Sequence, residues 1–164
     1  MYDLVIRDGY LRRRDAIRDV AVDDGRIVAV EATVADEGET EIDADGNLVS
    51  PGFVDCHKHI DRAFAATGER RPRGMDDPFP RRAFGTLFDD YYERTSVSTL
   101  ADRAVENLEM AVAAGTTHVR THVGADHVVG TDTMDACLRA GERLDGVVDL
   151  QLVAMPGRGI LTDG

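Results

Sequence analysis

Leu48-Val49-Ser50-Pro51-Gly52-Phe53-Val54-Asp55-Cys56-His57-Lys58-His59 separates two different residue patterns. Pro51-Gly52 breaks whatever precedes it, and Phe53 to His57 has the short apolar character of a buried strand. Two imidazoles follow, two residues apart. On a regular strand, residues i and i+2 project from one face, so both rings can reach one ion, and Lys58 points the other way. Histidine nitrogen suits zinc, iron and similar transition metals.

Before this junction the chain reads as short strands. Residues 3–9 alternate and end in a turn signal, and residues 19–31 form two strands around Asp23-Asp24-Gly25-Arg26, a hairpin turn of the Asp-Gly kind. Residues 40–43 give another short strand before Ala44-Asp45-Gly46-Asn47. The first fifty residues are expected to form a small antiparallel β unit, part of an N-terminal β-sandwich over 1–50.

After the junction strands alternate with helices. An irregular stretch rich in Pro, Gly and Arg runs from Thr67 to Gly85. Ser98 then precedes a helix from about Thr99 to Ala114, whose apolar positions Leu100, Ala104, Leu108 and Ala111 recur at helical spacing, and Gly115 stops it. Thr117 to Val123 is a strand, Asp132 to Leu144 a second helix, and Val148 to Met155 a strand closed by Pro156-Gly157. Strands alternating with helices imply parallel pairing with right-handed crossovers, hence an α/β fold. Three such strands make an open sheet. The sequence is therefore expected to be truncated, ending where the next helix should begin.

The 43% of apolar residues and the absence of a long apolar run fit a globular, cytoplasmic protein without a membrane span. Cys56 and Cys137 are too few for a disulfide framework, so both are expected as free thiols. The net charge of −12 argues against nucleic acid and anionic lipid as partners. Arg12-Arg13-Arg14, offset by Asp15 and Asp19, reads as a solvated loop. The surface is rich in Asp and has a single lysine, Lys58, which suits a high-salt (halophilic) cytoplasm.

The run from Leu48 to His59 resembles the signature of the amidohydrolase superfamily. In that superfamily an N-terminal β segment leads through Pro-Gly into the first strand of a TIM barrel ending in His-x-His. Four blocks occur in the order seen in cytosine deaminase and its relatives. They are His57-Lys58-His59-Ile60-Asp61, Gly85-Thr86-Leu87-Phe88, His118-Val119-Arg120-Thr121-His122-Val123 and Asp149-Leu150-Gln151-Leu152-Val153-Ala154-Met155-Pro156. The resemblance implies that residues 51–164 are the first part of a metal-dependent hydrolase barrel. It implies that His57 and His59 are metal ligands for a divalent ion, zinc or iron, and that Asp61 supports their loop. Leu87 and Met155 then fall at positions that line the substrate pocket.

His118, Arg120 and His122 share a strand face, where polar groups are costly to bury unless paired. They read as a hydrogen-bonded layer, with His122 at the pocket edge as a substrate-binding candidate. The implied reaction is hydrolysis of a non-peptide C–N bond by metal-activated water, the deamination of cytosine or a related small-molecule amino-heterocycle, by a homo-oligomer at full length. A cyclic-amidase or hydantoinase type, or an inactive fragment, is the alternative. Gly157 stands where cytosine deaminases carry a substrate-reading glutamine, and Arg62 where they have a small hydroxyl residue. A related heterocycle is therefore as consistent as cytosine. A catalytic metal needs at least three protein ligands, and two are legible, so this stretch alone is expected to be inactive and no catalytic residue is assigned within it.

Overall fold

The computed structural model describes residues 1–65, 88, 91–127, 129–157 and 159. The chain divides into two compact units, Met1–Pro51 and Gly52–Gly164.

In the first unit, β1 (Tyr2–Leu11), β2 (Ala16–Asp23), β3 (Arg26–Glu31) and β4 (Gly38–Asp43) form one sheet in the order β3-β2-β1-β4. The β2–β3 turn has Asp24 at φ 48° and Gly25 at φ 68°, the positive values that a two-residue hairpin turn matched to strand twist requires. The expected all-antiparallel unit is corrected here. β1, β2 and β3 pair antiparallel, but β4 runs parallel to β1. The connection after β3 crosses to the far edge of the sheet, so β4 re-enters in the direction of β1. Val34 anchors that crossing by burying itself with Val5 and Ala21.

Buried Asp19 fastens the same crossing. Its carboxylate accepts from the N–H groups of Asp8 (3.0 Å) and Val34 (3.0 Å) and from the Arg7 guanidinium (3.1 Å). Arg7 donates onward to the Val34 carbonyl and to Glu41, each at 2.6 Å. Burial raises the Asp19 pKa. The N–H donors and Arg7 outweigh it and hold the carboxyl below its usual value.

The second unit contains β5 (Phe53–Lys58), a 3-10 turn (Ile60–Arg62), α1 (Val97–Ala113), β6 (Thr116–Gly124), α2 (Asp132–Arg143) and β7 (Asp149–Met155). The three strands are parallel, in the order β5-β6-β7. α1 starts two residues before its expected start, because the Ser96 hydroxyl accepts from the Thr99 N–H and caps the helix. It ends at Ala113, two residues before Gly115, whose φ of 89° suits glycine. Leu108, Ala104 and Val105 from α1 pack with Cys137 and Ala140 from α2 against Val119 and Val123 of β6, forming the core. Both cysteines are free, Cys56 exposed and Cys137 buried. Burial first, and the charge of Asp61 second, push the Cys137 thiol up to about 12.

The residues along β6 alternate as a strand covered on one side demands. Val119, Thr121 and Val123 are buried beneath the helices, whereas His118 and Arg120 are exposed on the opposite face and His122 is half-buried there. Among the described residues, no helix is long and apolar enough to cross a membrane.

Candidate metal centre at the end of β5

The regular strand assumed for His-x-His is not what carries the two rings. Asp55 pairs with Val119 and Lys58 with Thr121, so three steps on β5 match two on β6. Cys56 and His57 together oppose one residue of β6, which is a β-bulge. The bulged backbone leaves an N–H without a ladder partner, and the Asp55 carboxylate accepts from the His57 N–H at 3.2 Å. β5 then stops at Lys58, and His59 lies just beyond it, leading into the 3-10 turn. Bulges re-aim side chains next to functional sites, and this one turns His57 toward β6.

Three imidazoles meet as a result. The His57 and His59 ring centres are 5.2 Å apart with planes at 73°. His57 and His122 stack at 4.2 Å and 23°, and His59 and His122 lie 6.0 Å apart. His59 Nδ1 is 2.7 Å from the His122 carbonyl oxygen, which can only accept, so Nδ1 carries the proton and Nε2 keeps its lone pair. A metal-binding histidine is oriented by this kind of bond on its second nitrogen.

His57 and His59 therefore suit a shared ion, with planes inclined and one tautomer fixed. His122 does not fit as a third ligand of the same ion, because its ring stacks on that of His57 and the in-plane lone pairs of stacked rings lie in separate, nearly parallel planes. Among the described residues, no group of three or more His, Cys, Asp or Glu side chains is placed to hold a metal. His122 Nδ1 is buried without a hydrogen-bond partner there. Burial first, and then the neighbouring charges of His57, His59 and Arg120, lower the His122 pKa, favouring the neutral ring.

Below the histidines, the polar face of β6 is paired across to β7. His118 Nε2 meets the Asp149 carboxylate at 2.9 Å, and Arg120 donates to Gln151 at 2.6 Å. His118, Arg120 and His122 are thus spread over successive positions of one face, and only His122 reaches the other two imidazoles. Met155 is half-buried at the end of β7, in register with Gly124 and so on the face of His122. Leu87 lies outside the described residues. Gly157 is exposed, and a side chain added there would approach the Asp126 carboxylate at 3.8 Å.

A second set of residues holds the loop that carries His59. The Ile60 N–H donates to the Thr121 hydroxyl (3.1 Å), which donates to the Lys58 carbonyl (3.2 Å). The buried Asp61 carboxylate accepts from the Gly124 N–H at 2.9 Å and from the Tyr92 hydroxyl at 2.7 Å. Burial and the Asp61 charge raise the Tyr92 pKa, keeping the hydroxyl a donor. Arg62 donates to the same hydroxyl at 3.1 Å and lies over the Phe88 ring at 4.4 Å. Of these, the family resemblance assigns support of the loop to Asp61 alone; Thr121 and Tyr92 carry no spacing signal of their own.

No family model matches the chain. N-isopropylammelide isopropyl amidohydrolase of Pseudomonas sp. (strain ADP) is 39% identical over 162 residues, spanning 99% of this chain. N-isopropylammelide isopropylaminohydrolase from Burkholderia multivorans ATCC 17616 superposes with a TM-score of 0.79 at 26% identity over 98% of this chain. The homologues and structural neighbours of this chain are amidohydrolase-superfamily members. A further one, the 5-methylcytosine deaminase of Klebsiella pneumoniae liganded with phosphonocytosine, has a TM-score of 0.79 at 28% identity over 96% of this chain. The chain spans 40% of the length of the Pseudomonas amidohydrolase and 39% and 38% of the two solved amidohydrolase-superfamily chains. The neighbours are amidohydrolase TIM-barrel proteins, and the small β unit and parallel sheet of this chain match a part of them.

Proposed function

We propose that this chain supplies two metal ligands, His57 and His59, to a hydrolase that cleaves a non-peptide C–N bond on a small amino-heterocycle. The observation that carries this reading is the inclined His57–His59 pair at 5.2 Å, with His59 Nδ1 committed to the His122 carbonyl. A divalent ion held there, zinc or iron, would supply Lewis acidity and an acidified water. The chain's own residues do the rest of what is visible. His122 keeps the proton of His59 on Nδ1 and walls one side of the site. Met155, half-buried on the His122 face, lines the substrate side, and the Arg120–Gln151 pair closes the face beneath. On this reading residues 1–50 are part of an N-terminal β-sandwich and residues 51–164 the first part of the barrel.

The substrate favoured is an amino- or alkylamino-substituted triazine or pyrimidine rather than cytosine itself. Gly157 offers no side-chain amide to read a ring edge, and a site built on such a contact discriminates strongly. The Pseudomonas and Burkholderia relatives are named for N-isopropylammelide. A homo-oligomer in the cytoplasm completes the proposal, and the net charge of −12 supports its high-salt character alone. The test is release of ammonia or alkylamine by the full-length protein from a panel of aminopyrimidines and aminotriazines. Turnover of at least one, abolished by chelation, is expected; no release from any, with metal bound, contradicts the proposal.

A further inference from the structure

We propose that Asp61 is a positioning residue for the metal centre, acting as the last rung of the β5–β6 ladder and so fixing where His59 presents its free nitrogen. This rests on the reading of His57 and His59 as metal ligands.

Backbone pairing of β5 with β6 ends at Lys58 and Thr121, yet β6 runs on to Gly124. Buried backbone groups beyond that point need partners. Side chains provide them. The His59 ring N–H takes the His122 carbonyl, and the Asp61 carboxylate takes the Gly124 N–H two residues further on. Residues 59 and 61 thus continue the pairing with side-chain atoms in place of backbone atoms. The same step of two that separates ladder positions on β6 separates the two side chains on the loop.

Thr121 pins the segment on both sides of His59, through Lys58 and Ile60. Asp61 closes it at the far end, and the Tyr92 hydroxyl holds Asp61 from the helical segment at 91–94. Asp61 is only 1% exposed, and its Oδ1 has no hydrogen-bond partner among the described residues. A buried carboxylate oxygen left in that state is costly, so the group is an expensive choice for a mere packing position. Its bonded oxygen acts directionally, setting the end of the strap that carries the ligand.

The test uses the full-length protein loaded with Co(II), read by affinity and by the visible d–d spectrum. Asp61→Ala removes the acceptor. Outer partners of metal ligands typically carry about 10- to 100-fold in affinity, and a loss in that range with an altered cobalt spectrum is expected. Asp61→Asn keeps an acceptor oxygen for Gly124 and Tyr92 and should recover most of the loss. Should Asp61→Ala fail to fold, Tyr92→Phe decides: removing one of the two bonds to Asp61 is expected to weaken cobalt binding about tenfold, at the low end of that range. Wild-type affinity and spectrum in folded Asp61→Ala, or in Tyr92→Phe where Asp61→Ala does not fold, overturn the proposal while leaving the metal reading intact. Cobalt binding insensitive to His57→Ala and His59→Ala takes down the metal reading and this inference with it.

Discussion

At the scale of single residues, the energetic weight sits on buried polar groups that join segments distant in sequence. Thr121 is fully buried and bonds both Ile60 and Lys58. Thr121→Val keeps the shape and orphans the Ile60 N–H, so a loss of about 1–3 kcal/mol is expected in urea unfolding. A wild-type midpoint would contradict the bonding described. Asp19 makes a pH-dependent prediction. Its folded-state pKa lies below that of the unfolded chain, so its contribution is present above about pH 4 and is lost as pH falls through the folded value. Asp19→Asn should be less stable than wild type at neutral pH, with the difference shrinking below about pH 4. A difference that grows with acidification would refute the assignment.

At the scale of elements, α1, β6, α2 and β7 were legible from periodicity to within two residues, because each buries one face and leaves the other to solvent. Leu108, fully buried in α1, marks that face. Leu108→Ala should cost about 2–5 kcal/mol by the cavity it leaves, measured as a shift of the unfolding midpoint; a shift within error would mean that α1 does not pack as described. The parallel course of β4 was not legible, since only Val34 distinguishes the connection before it from an exposed acidic loop. The bulge at Cys56 and His57 was equally hidden. Strict alternation placed both histidines on one strand face, whereas an extra residue and the strand's end bring them together. Pairing of His118 with Asp149 and of Arg120 with Gln151 followed from the rule that polar strand faces need partners, but the partner residues are set by register.

At the scale of the whole molecule, composition and site make separate claims. The excess of 31 acidic over 19 basic residues implies mutual repulsion that salt screens. The melting temperature is expected to rise between dilute buffer and molar KCl, and an unchanged value would remove the high-salt reading. The chain spans 38–40% of the length of the relatives and neighbours it matches, so activity is tested on the full-length protein. The contribution proposed for this chain is the pair His57 and His59, held by a bulge on one side and a ring-to-carbonyl bond on the other. Metal content and Co(II) affinity of the full-length protein, compared with His57→Ala and His59→Ala, test that contribution most directly. A stoichiometric divalent ion is expected in the wild type and its loss in either variant; retention of the metal at wild-type affinity in both would contradict the ligand assignment.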